Sequence, residues 1–157
     1  MNRSGLKSKT RHRHSLVALV LGSIIVFTAT DGYTARNHVQ DRPADSEFGP
    51  GPRTSVGGTY IATLQTLQPL RPRQMQSVRV LIEDAAGHAV DGAAISIDGG
   101  MPQHGHGLPT RPRVTKSLGA GVYEIEGVRF NMGGWWEFKL TISSPAGDDS
   151  VTFNLEL

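Results

Sequence analysis

From residue 59 to the C-terminus, apolar and polar positions alternate in short runs, and most runs stop at glycine, proline or aspartate. Residues 59–67 set Tyr60, Ala62 and Leu64 on one face, and residues 76–83 do the same with Val78, Val80 and Ile82. A period of two marks a strand with one buried face. Ile95 and Ile97 alternate within 93–98 after an Asp91-Gly92 turn, residues 113–116 make a short strand, and Gly119-Ala120-Gly121 turns the chain. Tyr123 and Ile125 then alternate with Glu124 and Glu126 until a break at Gly127. Trp136, Phe138, Leu140 and Ile142 alternate across 136–142, and Val151, Phe153 and Leu155 mark the last strand. About seven strands at spacings of roughly ten residues predict an all-β, immunoglobulin-like sandwich over 59–157. Trp136, Phe138, Tyr123 and Phe153 are its expected dominant core residues.

The start of the chain is patterned differently. Residues 1–14 are polar and basic, and residues 16–29 (LVALVLGSIIVFTA) carry no charge, with only Ser23 and Thr28 as polar interruptions. A basic stretch before an apolar run is the architecture of an export signal, and the positive charges hold the N-terminus in the cytoplasm while the remainder crosses. As a helix the run covers ~21 Å at ~1.5 Å per residue, so residues 30–35 must extend it to cross a hydrocarbon core of ~30 Å. The cleavage candidates Thr28/Thr30 and Thr30/Gly32 fit the small-residue rule poorly, which favours an uncleaved anchor over a cleaved signal. Residues 1–35 therefore predict a hydrophobic signal or anchor helix, with the domain on the periplasmic side of the inner membrane. Residues 36–58, rich in proline and glycine and without apolar periodicity, predict a flexible linker, the competing reading being an irregular strap packed on the domain.

Charge and composition narrow the function. Five of the sixteen Lys and Arg residues fall before residue 14, leaving eleven basic against fourteen acidic side chains, a formal −3, on the rest. That balance removes the electrostatic warrant for nucleic acid. With no cysteine in the chain, disulfides, thiol catalysis, thiolate metal sites and a lipoprotein anchor are excluded. No Gly-x-Ser-x-Gly elbow or phosphate-cradling glycine loop occurs, so no enzyme is predicted. Glu124 and Glu126 share a strand face and read as solvated; Asp148-Asp149 reads as a hairpin tip; His88 has no partner in the pattern.

One segment carries chemistry. Met101-Pro-Gln-His104-Gly-His106-Gly follows a strand directly and brings two of the six histidines within six residues of a methionine. A thioether beside neutral imidazoles favours Cu(I), because hard ions prefer carboxylate oxygen. The two-residue spacing puts both rings on one side of an extended loop, and the flanking glycines let the backbone bend. Met132 is the next methionine, giving Met101, His104, His106 and Met132 as candidate metal ligands. The opposed reading makes both methionines core fillers and the His-Gly-His a surface loop.

The stretch 101–136 resembles the FixH and YtkA-like family of exported or membrane-anchored bacterial domains. The residues that carry the resemblance are Met-Pro-x-His-Gly-His-Gly-Leu-Pro-Thr, Pro-x-Val-Thr, Gly-x-Gly-x-Tyr, Glu-Gly-Val-x-Phe and Met-x-Gly-x-Trp, and the likeness runs from the Val78 strand to the C-terminus. It implies an immunoglobulin-like sandwich outside the inner membrane, a role in copper handling and in assembly of copper-containing respiratory oxidases, and the same four ligands. The expectation is thus a Cu(I) chaperone or sequestration module serving a membrane or periplasmic partner that receives copper. Its rivals are a non-metal interaction sandwich that docks on a membrane partner and a small-molecule binder using Trp135 as an aromatic wall.

Overall fold

A computed structural model describes residues 41–157. The expected signal or anchor lies outside the described residues. Nine strands follow a single 3-10 turn, Asp45–Glu47: β1 Arg53–Thr54, β2 Tyr60–Gln65, β3 Gln76–Asp84, β4 Ala94–Met101, β5 His106–Gly107, β6 Arg113–Gly119, β7 Val122–Val128, β8 Trp135–Ser144 and β9 Gly147–Glu156. They form two antiparallel sheets, one ordered β1-β2-β3-β7-β6 and the other β5-β4-β8-β9. The protein is all-β, as the period-two pattern requires, and the seven expected strands are its seven long ones. The two additional strands, β1 and β5, have only two residues each.

Alternation places Tyr60, Ala62 and Leu64 of β2, Val78, Val80 and Ile82 of β3, and Tyr123 and Ile125 of β7 on one inner face. Trp136, Phe138, Leu140 and Ile142 of β8 and Val151, Phe153 and Leu155 of β9 meet them from the other sheet. All four expected core aromatics are buried. Gly127, at positive φ, follows the last of the regular β3–β7 pairs, and there the register shifts so that Val128 returns to the buried side.

Residues 42–58 differ from the linker expectation, for they pack as a strap. Phe48 forms a parallel bridge with Asn154 and sets its ring edge-on to Trp135, 6.3 Å between centroids. The Trp135 indole N–H donates to Asn154 Oδ1 at 3.0 Å. Arg42 pairs with Glu156 at 2.8 Å and lies over the Phe48 ring. The outer face of β8 is therefore covered at its start, which explains why Trp135 is buried although it alternates with the inward-facing Trp136. Further along, the Ser55 hydroxyl donates to Asp149 at 2.6 Å and accepts the Tyr60 amide, while the amides of Gly57 and Thr59 also donate to the Asp149 carboxylate. A segment poor in apolar residues is thus fixed by one aromatic anchor and one carboxylate.

Candidate metal-binding loop

β4 ends in Asp98-Gly99-Gly100-Met101, and two of those glycines are demanded by close backbone approach. A Cβ on Gly99 would stand 2.4 Å from the Glu137 carbonyl oxygen, and one on Gly100 would stand 2.7 Å from that of His106. Their absence lets the chain fold tightly back after Met101, whose carbonyl accepts the amides of His104 and Gly105 at 3.0 and 2.9 Å. The returning strand β5 pairs with β4 in the register Met101↔His106 and Gly100↔Gly107. Residues directly opposite in an antiparallel pair point to the same side, so the Met101 and His106 side chains share the inner face at the edge of the four-stranded sheet.

What that edge holds is a run of rings. The His104 and His106 imidazoles stack with centroids 5.8 Å apart and an angle of 28° between planes. His106 meets Trp136 edge-on at 5.9 Å, and Trp136 meets Phe130 edge-on at 5.2 Å. The run passes from two exposed imidazoles to two fully buried rings. Beside it the Trp136 indole N–H donates to the Met132 carbonyl at 3.0 Å, bringing the Met132 loop to the same end of the sandwich.

The four candidate ligands fall in different environments. His104 and His106 are together and exposed. Met132 is 39% exposed, whereas Met101 is 2% exposed and belongs to the core. Gly134, at φ +117°, makes room for the Met101 methyl: a Cβ there would lie 3.1 Å from Met101 Cε. A shallow groove of about 350 Å³ runs along the other side of the same edge, lined by Gly100, Met101, His106, Glu137 and Lys139 among others. The Lys139 ammonium sits 2.7 Å from the Glu137 carboxylate.

Two neighbouring imidazoles suit a shared soft ion. A shared ion would lie in the planes of both rings, about 2 Å from one nitrogen of each, so the stacked pair must turn its nitrogens toward a common point to hold one. Among the described residues no group of three or more His, Asp or Glu side chains is placed to hold a metal. Beside the two imidazoles stand the buried Met101, opposite His106 in the ladder, and the loop that carries Met132.

Two further readings from the sequence are corrected. Trp135 is no aromatic wall for a small molecule, since Phe48 covers it and Asn154 takes its N–H. His88 has a partner, Asp84 Oδ2 at 3.1 Å, and its backbone N–H is the main reason the Asp84 carboxyl is held below its ordinary range. The Trp136–His106 contact was not legible in sequence, because it depends on the two-residue strand β5, too short to show a period.

A family model described as YtkA-like matches residues 55–141. That is more than half of the chain, and the protein belongs to the YtkA-like family. The match covers β2 to most of β8, including the whole histidine loop. No curated protein and no solved structure matches the chain.

Proposed function

We propose that the protein is an exported, non-enzymatic Cu(I)-binding domain, a chaperone or sequestration module whose ligands are His104 and His106, with thioether supplied by Met132 and by Met101 at the base of the loop. The observation that carries the reading is the stacked, exposed imidazole pair 5.8 Å apart, fixed from beneath by Trp136. A pair of ligands open to solvent suits transfer, because a partner's donors can approach before either imidazole is released. In this reading the sandwich is immunoglobulin-like, residues 1–35 are its signal or membrane anchor, and it works on the periplasmic side of the inner membrane. Its partner is a copper-receiving membrane or periplasmic protein, in keeping with a link to respiratory oxidase assembly.

The test is an anaerobic Cu(I) titration of the full chain against a chromogenic competitor. One equivalent bound by the parent protein, and loss of most of the affinity in the His104→Ala/His106→Ala double variant, is the expected result. Affinity should also fall on acidification, since imidazole must be unprotonated to coordinate. Equal affinity in parent and double variant ends the ligand assignment and leaves the non-metal interaction module as the reading.

A further inference from the structure

The topology gathers at one end of the sandwich residues that are scattered in the sequence. β2 finishes and β3 starts there, as do β4 and β6, β7 and β8, with β9 finishing beside them. Arg73 N–H donates to the Phe130 carbonyl, tying the 66–75 and 129–134 loops together. Loops 66–75, 102–112 and 129–134 contain Arg71, Arg73, Arg111 and Arg129 and no Asp or Glu, and Arg113 opens β6 at the same level. All five arginines are exposed, and none is in an ion pair among the described residues. Glu126 stands opposite Arg113, Glu156 pairs with Arg42, and the strap that carries Asp41, Asp45 and Glu47 passes this end of β9, where Gly49 and Pro50 share a hollow with Pro69 and Leu70.

Among these guanidinium groups stand exposed apolar side chains. Leu67 is 69% and Met75 63% exposed. Met75 lines both the hollow that holds Arg71 and the one that holds Arg111 and Arg113. The opposite end has the reverse character, with Asp84, Asp91, Asp148 and Asp149 around loops 85–93 and 145–146 and no Lys or Arg in them.

We infer that the arginine-rich end is a docking face for an anionic lipid surface, with Met75 and Leu67 entering the headgroup region between the guanidinium groups. Charge complementarity selects the partner: three loops and the start of β6 carry five arginines outside any ion pair of the described residues, while the loops of the far end carry only acids, and that asymmetry turns the arginine loops toward negative charge. Apolar tips flanked by long cationic side chains suit an interface that is wet on one side and apolar on the other. The inference rests on the export reading for the identity of the membrane and is independent of copper.

The absence of cysteine makes the test direct. Met75→Cys and Ala86→Cys, at the two ends, are labelled separately with a fluorophore in the full metal-free chain and placed on phosphatidylcholine vesicles with and without phosphatidylglycerol. Both sets of vesicles carry a headgroup nitroxide quencher. Quenching at position 75 that requires phosphatidylglycerol and fades in high salt, with none at position 86, is expected. Each arginine near an anionic surface contributes about a fivefold gain, so Arg71→Ser/Arg73→Ser/Arg111→Ser should lower surface contact by about a hundredfold. The salt series on the parent chain decides the matter even if the triple variant misfolds. Equal quenching at both positions, quenching at 75 indifferent to phosphatidylglycerol and salt, or no quenching on any vesicle, as an acidic protein partner would give, overturns the proposal. A failed copper titration leaves these outcomes untouched.

Discussion

The two ends of the sandwich handle their polar groups in opposite ways. At the acidic end side chains turn inward to tie down backbone. Asp149 accepts from Ser55, Gly57 and Thr59; Tyr123 donates to the Val90 carbonyl and accepts from the Ala93 amide; Tyr60 donates to the Gly147 carbonyl. At the basic end the imidazoles of His104 and His106 and the guanidinium groups of five arginines face solvent, and the loops are held by backbone bonds such as that from Gly134 to Leu157 and by the uncharged side chains of Gln76, Thr110 and Trp136. Hydrogen bonds spent on holding a loop are unavailable for a ligand. The end with unspent donors is the one that can bind.

The sharpest way to break the contrast is to attack the core that both ends share. Trp136→Ala removes a fully buried indole and should destabilise by about 3–5 kcal/mol, lowering Tm in a thermal melt followed by circular dichroism. It should also release His106 and Met132, whose only described link to each other is that ring. Next in size is Phe48→Ala, which uncovers Trp135; a half-buried aromatic should cost about 1–2 kcal/mol. The diagnostic readout is indole emission shifting toward the red as Trp135 meets water. If emission and Tm stay unchanged, the strap is not part of the folded unit.

Smaller effects separate the ends. Asp149→Asn should lower Tm, because the hydroxyl of Ser55 and three surrounding amides favour the charged carboxylate. The sign of the pH dependence follows: a depressed folded-state value means stability that is present above the ordinary carboxylate range and is lost as the solution is acidified below about pH 4. The variant should have a flatter stability profile there than the parent. By contrast, His104→Ala and His106→Ala should move Tm least of all, since both side chains are exposed, while abolishing the Cu(I) response. Copper itself should raise Tm only through binding to an already folded chain. A metal-stripped protein with no cooperative melt would show instead that the loop is a structural metal site.

The long strands were readable because each exposes one face, and period-two alternation survives in the sequence wherever that holds. It fails at the start of β8, where Trp135 and Glu137 are buried on the side that should be wet. The adjacent Trp135-Trp136 pair was the available sign that something covers both faces, but its cover, Phe48, is a lone aromatic among prolines and glycines with no period to announce it. The histidine loop was legible in composition and not in arrangement. Residue types pointed to soft-metal chemistry, while the placing of buried Met101 opposite exposed His106 depends on the register of β4 against β5. The arginine cluster was invisible for a related reason: residues 71, 73, 111, 113 and 129 come to one end only when the sheets bring three loops and the start of β6 together, and a whole-chain charge count averages them against the acidic side chains.

The family match stops at Thr141, three residues before β8 ends, and begins at Ser55, within the strap and after Phe48. Yet β9 pairs with β8 from Ser144↔Gly147 to Trp135↔Glu156 and supplies Val151, Phe153 and Leu155 to the interior. A gene fragment trimmed to the matched letters would encode a four-stranded sheet missing its outer member, an open hydrogen-bonding edge along β8, and a bare Trp135. Such a piece should aggregate through that edge when expressed. The stretch that the family model matches is therefore smaller than the stretch whose side chains pack together, and truncation series should retain residues 42–58 and β9.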